Sequence, residues 1–174
     1  MPRREFSVLL IALALSGCRP APADLPKYQP LSARRESAIT VDVRGFAADV
    51  ARDVTEEGPA AWRKYFSDRP PFFMAADGIL QFPDSAAAAA GIQALTRTIR
   101  HIDLKWGDDL RVDALAPDLA MIATSYHENI VTISGVHLDA SGYFTGVVEF
   151  QGSGWRFRNA HWSSARTGDG GSSK

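Results

Sequence analysis

His127 and His161 are the side chains of this chain best suited to move a proton near neutral pH, where imidazole titrates. Both stand in alternating runs. His161 and Asn159 share a parity with Trp155 and Phe157, and His127 and Ser125 share one with Met121 and Ala123. Strands through these runs would turn each set to one face. The plainer reading is a pair of hydrogen-bonded histidines bracing a curved sheet. Two imidazoles do not make a metal set, and Glu128, of opposite parity to His127, would point away, so no metal is assigned. Asp103, Asp108, Asp109 and Asp113 crowd one stretch, but alternating with Leu and Val they read as solvated charges rather than a catalytic pair. Asp77 precedes Gly78 and shapes a turn. Ser163 lacks the Gly-x-Ser-x-Gly surroundings of an activated serine. Cys18 is the only cysteine, so no intrachain disulfide forms, and no thiol nucleophile exists beyond it.

The elements that must position these groups follow from periodicity. Val43, Phe46, Ala47, Val50 and Val54 predict an amphipathic helix over 42–56, stopped by Gly58-Pro59. Trp62, Tyr65 and Phe66 form the aromatic face of a short second helix. Residues 72–75 and 79–82 flank Asp77-Gly78 as a hairpin, and Asp84 or Ser85 caps a third helix reaching about Arg100. The period then changes to two. Ile102, Leu104 and Trp106, then Leu110, Val112 and Ala114, form one strand bulged at 107–109, followed by strands near 119–131, 143–150 and 155–163. This order is α+β.

A tip at 151–154 pairs Phe150 with Trp155, Val148 with Phe157, Gly146 with Asn159 and Phe144 with His161 on an inner face. Glu149 with Arg156 and Tyr143 with Trp162 then lie outside, and the opposite charges favour that register. A turn at Ser134-Gly135 pairs Ser125 with Phe144, and a slip of one residue there would exchange His127 for Tyr126 and Glu128 on the inner face. The pocket expected from these registers is lined by Trp62, Tyr65, Phe73, Trp106, Ser125, His127, Phe144, Phe157, Asn159 and His161, with Phe82 a further aromatic of the lining or the core. Tyr126, Tyr143 and Trp162 form an outer apolar patch suited to a twofold homodimer.

Ahead of this domain stand a short basic start, an apolar run from Phe6 to Leu15, and Leu15-Ser16-Gly17-Cys18. That order is the pattern of an export signal, and the run is too short to span a bilayer as a helix. The tetrapeptide resembles the lipobox of bacterial lipoproteins, which implies lipidation of Cys18. With Arg19 behind it, the resemblance implies the cell envelope and, in a Gram-negative host, the periplasmic face of the outer membrane. The expected organisation is a signal peptide over 1–17, a Pro-rich tether over 18–40, a folded domain over 41–165 and a polar tail over 166–174. Removing 17 residues from 174 leaves 157, enough for one domain with its own core. Removing Arg3, Arg4 and Glu5 from 19 basic and 20 acidic side chains leaves 17 and 19, a balance that excludes the basic stripe of a nucleic-acid binder.

Trp62 to Phe66, Phe73 to Gly78, Gly142 to Gly146 and Gly154 to Phe157 leading to His161-Trp162-Ser163 resemble the nuclear transport factor 2-like domain, also called SnoaL-like or ketosteroid isomerase-like. The resemblance covers about residues 42–164. It implies a cone-shaped fold, a strongly bent antiparallel sheet wrapped around three N-terminal helices, with one pocket in its concavity. Ketosteroid isomerase uses a pocket aspartate as base, and no residue here matches it. The leading expectation is therefore a lipid-anchored domain binding a small apolar molecule, without a cofactor. The alternatives are a cofactor-independent isomerase, dehydratase or cyclase using His161 or His127, and a non-catalytic interaction domain that dimerises through the convex face of the sheet.

Overall fold

The computed structural model describes residues 30–165. Cys18, the signal segment, most of the tether and the tail lie outside the described residues. Helix α1 spans Ala33–Glu57, a 3-10 turn covers Gly58–Ala61, and α2 is the single turn Trp62–Tyr65. Strands β1 (Phe73–Ala76) and β2 (Ile79–Phe82) form the hairpin, and α3 covers Ser85–Leu95. Five strands follow: β3 (Ile99–Trp106), β4 (Arg111–Ala116), β5 (Leu119–Thr132), β6 (His137–Phe150) and β7 (Trp155–Ser164). The sheet runs β2-β1-β7-β6-β5-β3, with β4 on the same edge of β5 as β3, further along the strand. All pairings are antiparallel except β1 with β7. No described helix is long and apolar enough to cross a membrane.

Helix α1 starts at Ala33, within the stretch expected to be tether. Ser32 caps it by accepting the Arg35 N–H, and Glu36 sits in the first turn, where a negative charge favours the dipole. Its first turns carry only Ile39 inward, so their polar composition resembles a linker. Beyond them Val43, Phe46, Ala47, Val50 and Val54 are buried as the spacing predicts. Phe46 meets Phe157 and Tyr65 edge-on at 5.0 and 5.6 Å, and the Trp106 indole donates to the Ala47 carbonyl at 2.8 Å. The Tyr65 hydroxyl donates to Asp53 at 2.7 Å, joining α2 to α1. Asp84 caps α3 through the Ala87 N–H, but α3 ends at Leu95, where the Thr96 and Thr98 hydroxyls turn back to the Gln93 and Leu95 carbonyls. The strand expected over 102–114 is broken into β3 and β4 by a loop that Asp109 pins, accepting from the Ser125 N–H and Oγ and from Thr124 Oγ1.

Two local features decide which side chains face inward. Between β5 and β6 the Gly135 N–H donates to the Thr132 carbonyl and Thr132 N–H to that of Val136, with Gly135 at φ 84. The loop therefore holds three residues, Ile133 to Gly135, not two. The extra residue shifts the register by one, pairing Phe144 with Thr124 rather than Ser125. Ala120, Ile122, Thr124 and Tyr126 consequently face the core and are buried, while Met121, Ala123, Ser125 and His127 face away. Between β6 and β7 the tip registers as expected, with Phe150 opposite Trp155 and Val148 opposite Phe157. Arg158 is then an extra residue, so Val147 pairs with Asn159, Thr145 with His161 and Phe144 with Trp162. Asn159 Oδ1 accepts the Val147 N–H at 3.2 Å across this bulge. Ala160 and Trp162 turn inward, and His161 turns out.

If the Asn159 carboxamide holds the bulge, Asn159→Ala should lower the unfolding free energy from urea melts by about 1 kcal/mol, the worth of one partly buried hydrogen bond. His161→Ala, on the exposed side, should stay within about 0.5 kcal/mol of the native protein. The reverse order of losses would place His161 inside and contradict this register.

Candidate functional site

Packed around Phe144, the centre of the concavity is solid. Phe144 lies 4.4 Å from Trp162, 5.1 Å from Trp106 and 5.3 Å from Phe157, and both phenylalanines are fully buried. A cavity of about 410 Å³ opens beside this cluster, between α3 with the β1–β2 hairpin and the inner side of β3, β5 and β7. Trp62 and Trp162 meet edge-on at 5.6 Å in its wall, and Trp62 stacks on Phe66 at 5.3 Å. Phe82, Ile92, Leu95, Ile102 and Ile130 supply most of the remaining apolar lining, and exposed Gln81 stands at the rim. Gly91 of α3 is a packing requirement here. A Cβ at that position would fall 2.2 Å from the Phe82 ring, so only glycine lets β2 lie so close to the helix.

Glu128 is the one charged residue of this lining, which holds no Lys, Arg or His. It is half-buried on β5, opposite Leu104 of β3 and Ala140 of β6. Burial alone pushes its carboxyl up from 4.5 to about 7, with no hydrogen bond or neighbouring cation to counter it. A group so tuned changes charge at neutral pH and can take up or release a proton beside an apolar surface. Burial also raises Tyr126, the neighbour of Glu128 two residues back. Depressions of about 390 and 550 Å³ lie outside the concavity and are lined by several charges, among them Arg63, Asp68 and Arg156 in the first and Asp42, Asp49 and Lys64 in the second.

Of the aromatics expected from sequence in or beside the pocket, Trp62 and Phe82 line this cavity. Phe144 and Phe157 are core. Tyr65 and Trp106 are tied to α1 by the bonds described above. Ser125 is bound to Asp109 on the other face, Asn159 is taken by the bulge, and Phe73 is exposed. His161 is exposed, and the His127 side chain is 53 % exposed, with Nε2 3.8 Å from Asp139. The two histidines are therefore corrected from pocket acid–base groups to surface residues. The outer aromatic patch is corrected likewise. Tyr126 is 5 % exposed inside and Trp162 lines the cavity, which leaves Tyr143 beside Met121 on the convex face. Asp77 does shape its turn, at φ 48, and accepts Ser164 N–H and Oγ at 2.6 and 2.8 Å, which hold its carboxyl below the usual range. The described residues contain no cluster of three or more metal-ligating side chains. Glu128 was readable only as the result of a slip. The signal for that slip is bulk, because Ile122, Tyr126 and Ile130 share the parity of Glu128.

No family model and no curated protein matches the sequence. Solved structures do. A nuclear transport factor 2-like superfamily protein from Salmonella enterica serovar Typhimurium aligns with TM-score 0.59 at 17 % identity, over 81 % of this chain and 99 % of that one. A putative scytalone dehydratase from Novosphingobium aromaticivorans aligns with TM-score 0.61 at 9 % identity, over 72 % and 83 % of the two chains. A ketosteroid isomerase-like protein from Erwinia carotovora atroseptica gives 0.56 at 12 %, over 72 % and 95 %.

The position of Glu128 has a consequence for stability. Its folded pKa, about 7, lies above the unfolded value, so the native state holds more protons between pH 4.5 and 7 and loses stability as pH rises through that window. Glu128→Gln removes the loss. At pH 8 the variant should be more stable by on the order of 2 kcal/mol, an advantage that vanishes near pH 4. Urea melts at the two pH values check this, and an equal difference at both would contradict it. With its bent seven-stranded sheet, helical roof and lateral cavity, the chain adopts the cone-shaped fold of nuclear transport factor 2-like proteins.

Proposed function

We propose that this protein is an exported, lipid-anchored domain that binds a small, largely apolar molecule in the cavity beneath α3. The observation that carries the reading is the cavity itself. About 410 Å³ lies within the usual range of ligand sites, its walls are mostly aromatic and aliphatic, and a single charged group, Glu128, lines it. Export and anchoring rest on the lipobox-like Leu15-Ser16-Gly17-Cys18, with lipid on the Cys18 thiol and the periplasmic face of the outer membrane as destination in a Gram-negative host. Self-association through the convex face would rest on Tyr143 and Met121, 40 % and 38 % exposed.

The state of Glu128 favours a second reading, a cofactor-independent isomerase or dehydratase in which this carboxyl replaces the histidines as proton carrier. Similarity of fold to proteins with such names supports the class of chemistry, not a substrate.

Native mass spectrometry of the protein purified from its host membrane should show a retained organic mass. Leu95→Trp, which fills the cavity, should lose that mass while keeping a cooperative melt. A bare protein mass, together with turnover of an enolisable substrate that Glu128→Gln abolishes, would favour the enzyme reading instead. Cys18→Ser should move the protein from the membrane fraction to the soluble one, and unchanged partitioning would contradict lipid anchoring.

A further inference from the structure

Accepting the cavity as a ligand site, we infer that its ligand is an apolar organic cation, an amine whose ammonium group pairs with Glu128 while its hydrocarbon body lies against Trp62 and Trp162. The inference rests on charge complementarity within a largely apolar cavity. Glu128 is the only charged residue of the lining, and no basic side chain of the lining neutralises it. An ionised carboxylate in apolar surroundings is unstable unless it is protonated or paired. Among the described residues none supplies a partner, so a ligand would bring one or leave the carboxyl protonated. An ammonium group also suits the walls. Trp62, Phe66 and Trp162, packed against one another, line the same cavity as the carboxyl. Aromatic faces attract cations, most strongly where water is excluded. An anionic ligand would meet Glu128 with like charge, and a neutral one would gain only the apolar contacts.

A fused aromatic body with one short polar arm matches the apolar lining and its one carboxyl, so naphthalen-1-ylmethanamine and its neutral isostere naphthalen-1-ylmethanol serve as probes. Both are titrated calorimetrically into the full chain at pH 7.5. The amine should bind at least about tenfold more tightly than the alcohol, as expected for a charge-assisted hydrogen bond to a partly buried carboxylate. In Glu128→Gln, with folding read from a cooperative melt, that ratio should collapse to within about twofold. Equal or tighter binding of the alcohol to the native protein overturns the cation assignment and leaves the cavity reading standing. The same preference for the amine in Glu128→Gln overturns it too, since the charge would then be read elsewhere. Failure of both probes to bind the native chain defeats the cavity reading and the inference together. If the variant does not fold, the amine-to-alcohol ratio of the native protein still decides.

Discussion

The hydrogen bond from the Val147 N–H to the Asn159 carboxamide spans the bulge on which the interior of this domain depends. A regular antiparallel pair would keep every second residue of β7 on one face, sending Asn159 and His161 inward after Phe157. The extra residue Arg158 breaks that parity. Below the bulge Phe157 points inward, and above it Ala160 and Trp162 do, so one strand contributes bulk to the packed centre and an aromatic wall to the cavity. A bulge also bends and twists the strand that carries it, which a sheet needs in order to curl around α1. The side chain of Asn159 satisfies a ladder donor the bulge would otherwise leave free.

Parity also explains why the concavity holds a carboxyl at all. The three-residue loop at Ile133 to Gly135 brings the even-numbered residues of β5 inward. Ile122 and Tyr126 fill the core behind Phe144, and further along the strand Glu128 and Ile130 reach the cavity. A solid centre and an open flank are two halves of one arrangement. Packing around Phe144 fixes one side, Gly91 lets Phe82 close against α3 on another, and the cavity lies between them. Keeping an unpaired acid there works against stability above neutral pH, a trade that binding or proton transfer would justify and packing alone would not.

Much of this architecture was legible in the chain. The aromatic spacing of Trp62 and Tyr65, the Asp77-Gly78 turn, the Asp84 cap and the alternation in β5 to β7 each carry a local physical signal. What was not legible is parity. Both faces of β5 are chemically mixed, Met121-Ala123-Ser125-His127 against Ile122-Thr124-Tyr126-Glu128, so alternation alone does not orient it. Ser134-Gly135 looks the same in a two-residue and a three-residue loop, and nothing in Phe157-Arg158-Asn159 announces a bulge, because its cause is a tertiary contact with β6. Two offsets of one residue moved both histidines out of the pocket and brought Glu128 in. The start of α1 was hidden for a different reason, since Arg34, Arg35, Glu36 and Ser37 form helix as readily as they solvate a linker.

The most direct test of the inward placement of Glu128 is its own titration, followed by carbon NMR of the labelled side-chain carboxyl. A carboxyl that shares an apolar cavity with Trp62, Trp162 and Ile130, with no cation in the lining, should titrate near pH 7. A midpoint in the ordinary glutamate range, about 4.3, would place Glu128 on the solvated face and contradict the account of the cavity.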